Sequence, residues 1–94
     1  MKRTLAWAAA AVVLGSMSGC ATYNAIQGAE QSLGQAAAAG AKTKAPYEYH
    51  SAEAYLSYAQ HEHGEHDFSA ARSFAAESLK FSSQALEKAK GGGK

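Results

Sequence analysis

The clearest alternation of apolar and polar positions lies in the last third of the chain. Ala71, Ala75, Ser78, Ser82, Ala85 and Ala89 recur at spacings of four and three, a narrow stripe of small residues along one helix face. Phe74 and Phe81 flank the stripe on one side, Leu79 and Leu86 on the other. Arg72, Glu77, Lys80, Gln84, Glu87 and Lys88 fall away from its centre, so the segment is amphipathic. Small residues along a stripe let a partner backbone come close, while Phe and Leu close the sides. Asp67 stands where its carboxylate can accept from amides left free in the first turn. The predicted helix therefore starts at Phe68 or Ser69 and ends near Lys90, where Lys88 and Lys90 suit a C-terminus and Gly91-Gly92-Gly93 stops it.

A second helix is predicted from Pro46, a residue suited to the first helical position. Ala52, Tyr55, Leu56 and Ala59 form its apolar stripe, and Tyr47, Tyr49 and Tyr58 add aromatic surface along the flanks. Gly64 is expected to break this helix near His63. Upstream, residues 21–45 are dominated by Ala, Gly, Gln and Thr. Tyr23, Ile26, Glu30 and Leu33 have helical spacing, and residues 36–39 are all alanine, but Gly28 and Gly34 each cost about 1 kcal/mol relative to Ala. Two readings stand: a marginal helix over 23–39 stopped by Gly40, or a flexible tether. The expected fold is all-α, an antiparallel helical hairpin of residues 46–63 against 69–90, with a three-helix bundle as the alternative if the first segment joins it.

The chain opens differently. Lys2 and Arg3 precede an apolar run from Leu5 to Leu14, followed by small residues and the single cysteine, Cys20. A basic start, an apolar core and a small-residue zone make a secretory signal. The core of ten residues is short of the roughly 17–25 that a bilayer span needs. Met17-Ser18-Gly19-Cys20 resembles a bacterial lipobox, with Met17 in the place usually held by Leu. The resemblance implies removal of residues 1–19 and attachment of two or three acyl chains to Cys20. Each buried methylene is worth about 0.8 kcal/mol, and two chains suffice for stable anchoring. Ala21, in place of an Asp, implies sorting to the outer membrane by the same resemblance. The competing reading is ordinary secretion, with cleavage after Ala21.

Removing 19 of the 94 residues leaves 75, in which seven Lys/Arg face eight Asp/Glu, a formal charge of −1. That balance excludes a strongly basic nucleic-acid binder. One cysteine excludes an internal disulfide framework. So small an Ala- and Gly-rich chain has little apolar area to bury, and no enzyme is expected of it. The same deficit predicts self-association or docking on a partner.

One cluster could carry chemistry. Within residues 61–67, three imidazoles (His61, His63 and His66) alternate with the carboxylates of Glu62, Glu65 and Asp67. Imidazole is a common ligand of zinc, copper and nickel, so a metal site is one reading. The zinc-protease pattern fails, because its second His is replaced by Glu65. The other readings are a solvated turn and a pH-sensitive surface. The tyrosines either pack on Phe74 and Phe81 or offer an aromatic patch to a partner. Glu48 and Glu53 read as a solvated face. Ser78, Ser82 and Ser83 have no base at useful spacing, and no cofactor is expected.

Two resemblances follow. Residues 67–79, with Asp67-Phe68, Ala71 and Ser78-Leu79 in register, resemble the second helix of a tetratricopeptide unit. A single copy cannot form a solenoid, so a lone tetratricopeptide-like hairpin is what this implies. Ala45-Pro46-Tyr47-Glu48-Tyr49, Ala52-Glu53-Ala54-Tyr55-Leu56 with Ala59, and Asp67-Phe68 with Ala70-Ala71 and Phe74-Ala75 resemble a family of small exported lipoproteins. These carry a helical domain of unknown function, often beside or fused to OmpA-like peptidoglycan-binding domains. The resemblance spans about residues 20–90 and implies an outer-membrane lipoprotein with a periplasmic helical domain. It carries over no catalytic residue. Any link of residues 20–90 to peptidoglycan then passes through a partner such as an OmpA-like protein. The expected function is structural: a lipid-anchored envelope protein whose hairpin meets a second copy or a partner through Tyr55, Leu56, Phe74, Phe81 and Leu86. A metal-binding module using the His-rich turn is the alternative.

Overall fold

A computed structural model describes the backbone from Lys2 to Gly91 and the side chains from Gly19 to Gly91. Four helices follow in order: α1 (Lys2–Ala38), α2 (Ala41–Lys44), α3 (Pro46–Gly64) and α4 (Phe68–Lys90). The all-α expectation holds, and of its two forms the structure adopts the three-helix bundle. Of the two readings of residues 23–39 the structure shows the helix: from Thr22 onward α1 packs against both α3 and α4. The side chains of Met17 and Ser18, on which the lipobox resemblance partly rests, and the tail residues 92–94 lie outside the described residues.

Each long helix carries a seam spaced alternately by four and three. In α1 it is Thr22, Ile26, Ala29, Leu33 and Ala36; in α3, with the preceding residue, it is Ala45, Tyr49, Ala52, Leu56 and Ala59. In α4 it is the stripe read from the sequence, and all six of its residues are buried. A mean spacing of 3.5 residues keeps one face turned to its neighbours along the whole length. Among the described residues ten of the thirteen buried apolar ones are alanine, so the helices approach closely, and the largest fully buried side chains there are Thr22, Ser78 and Ser82. The bulkier members gather in two clusters. Ile26, Leu56, Ala29, Ala59 and Ala75 fill one, and Tyr49 joins Ala36, Ala41, Ala45, Ala85 and Ala89 in the other.

Polar contacts fix the helix directions. Arg72 Nη1 donates to Thr22 Oγ1 at 3.2 Å, and Ser82 Oγ donates to Ser32 Oγ at 2.6 Å. Both pairs are 50 residues apart, so α1 and α4 run parallel in a register offset of 50. Ser78 Oγ donates to the carbonyl of Ala52 at 2.8 Å, and Lys88 Nζ lies 3.4 Å from Glu48 Oε2, so α3 runs antiparallel to α4. Gln60 Nε2 donates to Glu30 Oε1 at 3.0 Å across α3 and α1.

The two reversals have local causes. Gly40 adopts φ 83°, a left-handed conformation that ends α1 as expected, and the chain then forms the single turn α2 before Pro46 opens α3. Lys42 and Lys44 belong to α2 rather than to the end of α1. Gly64 does not break α3 but is its last residue. The turn comes at Glu65, His66 and Asp67, with His66 at φ 62°. Asp67 caps α4 as its sequence position predicts, accepting from the Ala70 amide at 3.1 Å.

Candidate functional site

The five residues expected to form a partner surface fall into two groups. Leu56 belongs to the core, 8% exposed among Ile26, Ala29, Ala59 and Ala75. Its position on α3 points into the three-helix seam because α1 covers the face that a bare hairpin would leave open. Leu86 is half-buried against the Ala36–Tyr49–Ala85 cluster, again because α1 is there. Neither can lead a docking surface in the folded bundle.

Tyr55, Phe74 and Phe81 stay together on the other flank of the α3–α4 seam. Tyr55 stacks on Phe81 with centroids 5.6 Å apart and planes 6° from parallel, and on Phe74 at 6.2 Å. Tyr58 meets Phe74 edge-on at 5.5 Å, and Tyr47 meets Phe81 edge-on at 6.1 Å. The result is a ladder in the order Tyr58, Phe74, Tyr55, Phe81, Tyr47. Aromatic pairs add about 0.5–1.5 kcal/mol beyond area burial, so the ladder staples α3 to α4. Its end rungs are open: Tyr47 is 71% exposed and Tyr58 53%. Tyr47 and Tyr58 are among the tyrosines expected to pack on Phe74 and Phe81 or to form a patch, though not among the five residues expected at the partner surface; which ring meets which depends on the register of α3 on α4.

Of the two carboxylates expected on a solvated face, Glu53 lies there and Glu48 does not. Glu48 is turned toward α4, its side chain only 17% exposed, with Oε2 near Lys88 and Oε1 buried without a hydrogen-bond partner. Glu53 is exposed and lies 2.7 Å from His50 Nδ1.

The His-rich segment spreads its imidazoles over the end of α3 and the turn that follows it. Among the described residues no group of three or more His, Cys, Asp or Glu side chains is placed to hold an ion. His61 and His63 are two residues apart on a helix, which turns them about 200° from each other. His63 is half-buried, its ring 5.5 Å from that of Phe68, and His66 approaches Phe68 edge-on at 5.9 Å. Phe68 therefore gathers two of the three imidazoles from the side.

Cys20 is exposed and its thiol is free. The 50-residue offset puts it level with Ala70, in the first turn of α4. Exposed Tyr23 lies nearly one turn further along α1. Among the described residues no helix is long and apolar enough to cross a membrane.

No curated protein and no solved structure matches the chain. A family model does: the domain of unknown function DUF4398 matches residues 24–92, which takes in the packed part of α1 and all of α2, α3 and α4. The bundle from residue 24 onward lies within the match, and the protein belongs to the DUF4398 family.

Proposed function

We propose that the protein is a lipid-anchored component of a Gram-negative envelope, carried on the periplasmic side of the outer membrane by acyl chains on Cys20. The observation that carries the reading is the place of Cys20. It is the single cysteine, it is exposed, it follows the apolar leader and a lipobox-like Met17-Ser18-Gly19, and it stands four residues before the family domain. Because α1 packs from Thr22 onward, acylation holds the bundle directly against the bilayer with no spacer. Two chains give stable anchoring where one does not.

The domain acts by contact rather than by chemistry. The aromatic ladder, with Tyr47 and Tyr58 as its open rungs, is the surface offered to a second copy or to an envelope partner such as an OmpA-like protein. This reading drops Leu56 and Leu86 from the surface and keeps Tyr55, Phe74 and Phe81 as its backing. Detergent phase partitioning tests the anchor: wild type should enter the detergent phase after processing, and Cys20→Ser should accumulate unprocessed. Equal aqueous partitioning of both proteins as processed chains contradicts the reading.

A further inference from the structure

The anchor residue and the His-rich turn occupy the same end of the bundle. Cys20 is level with Ala70, and the turn from Glu65 to Asp67 immediately precedes α4. The opposite end carries α2, with Lys42 and Lys44, and the last turn of α4, with Lys88 and Lys90. We propose that the α3–α4 turn seats on zwitterionic phospholipid headgroups, an ammonium and a phosphate on each, with the bundle standing on this end; the proposal rests on acylation of Cys20.

Chemistry selects the headgroup. From Cys20 onward the chain has no Lys or Arg before Lys42 and none between Ala45 and Ala71. Arg72, the one basic side chain near this end, is engaged with Thr22 on the α1–α4 seam. The end therefore lacks the basic cluster that attracts anionic lipids. It presents instead Glu65 and Asp67, which accept from an ammonium, beside exposed His61 and His66, whose ring N–H groups donate to a phosphate. Exposed Tyr23, within a turn of Cys20, supplies the amphipathic ring favoured at a membrane–water boundary.

Depth-dependent quenching tests this in the mature, full-length protein. Trp7 lies in the leader, so Ser69→Trp and Ala38→Trp each introduce a single indole after processing. Both positions are exposed, and the register separates them by about 28 Å along the bundle at 1.5 Å per residue. The intact mass of each preparation first establishes the acyl chains on Cys20. In vesicles of phosphatidylethanolamine and phosphatidylcholine with brominated acyl chains, the position-69 indole should lose most of its emission and the position-38 indole none. Replacing phosphatidylethanolamine by phosphatidylglycerol should weaken the quenching at position 69. Equal quenching at both positions, or stronger quenching at position 69 in phosphatidylglycerol, overturns the proposal while leaving the anchor intact. A bare thiol on Cys20 overturns both.

Discussion

Ser82 on α4 donates its buried hydroxyl to Ser32 on α1 at 2.6 Å, within reach also of its own helix at the Leu79 carbonyl, 3.0 Å away. This contact marks where α1 is held to the hairpin, and Ser82 is, with Thr22 and Ser78, among the largest fully buried side chains of the described residues. Ser82→Ala removes one hydrogen bond, and Ser32, half-buried, retains access to water, so the cost should be about 1 kcal/mol. Ser82→Leu must push the helices apart and should cost about 1–3 kcal/mol or more. Thermal unfolding of the processed domain checks both. At this size about 1 kcal/mol corresponds to roughly 4–8 °C in Tm.

Two glycines in the same segment should respond in opposite directions. A Cβ on Gly34 meets nothing within 4 Å, and the residue is helical, so Gly34→Ala should stabilise by about 0.5–1 kcal/mol. Gly40 sits at φ 83°, so Gly40→Ala should destabilise by about 1–2 kcal/mol although its nearest neighbour is only the flexible end of Lys44. Denaturant midpoints of the two variants should move apart, and movement in the same direction would contradict the fold of this corner.

Core and surface roles separate by substitution. Leu56→Ala opens a cavity between α1, α3 and α4 and should lower stability by about 2–5 kcal/mol. Tyr58→Ser strips an exposed rung and should cost about 1 kcal/mol or less through its contacts with Phe74 and Tyr55. If the ladder docks a partner, a photo-crosslinker at Tyr58 in intact membranes gives an adduct and one at exposed Gln31 does not. Absence of an adduct at Tyr58 speaks against the ladder as the docking face.

Zinc should leave the bundle unchanged, because the imidazoles are spread over a helix end and a turn and two of them lie against Phe68. Titration with micromolar zinc should not raise Tm, and His63→Ala should respond as wild type does. A zinc-dependent rise in Tm that His63→Ala abolishes would show a site that the folded turn does not display.

Much of this arrangement is legible in the sequence. The α4 stripe was read residue by residue, because alternating spacings of three and four with charges on the far side admit one helix face. The Asp67 cap, the start at Pro46 and the stop at Gly40 followed from local backbone chemistry. The first segment was harder. Its stripe was read through Tyr23, Ile26, Glu30 and Leu33, whereas burial follows Thr22, Ile26, Ala29 and Ala36 with Leu33 beside them. In an alanine-rich helix several faces look equally apolar, and Thr22, Ser32 and Ser82 are buried through partners on other helices that spacing cannot reveal. For the same reason Leu56 looked like surface: until α1 was seen to cover the hairpin, nothing distinguished it from Tyr55.

Acylation of residue 20 is measured most directly by the intact mass of the protein extracted from membranes. The expected product begins at Cys20 and exceeds the mass of residues 20–94 by a diacylglyceryl group, with or without a further acyl chain on its amine. A product of unmodified peptide mass, or one whose first residue lies after Ala21, would contradict it.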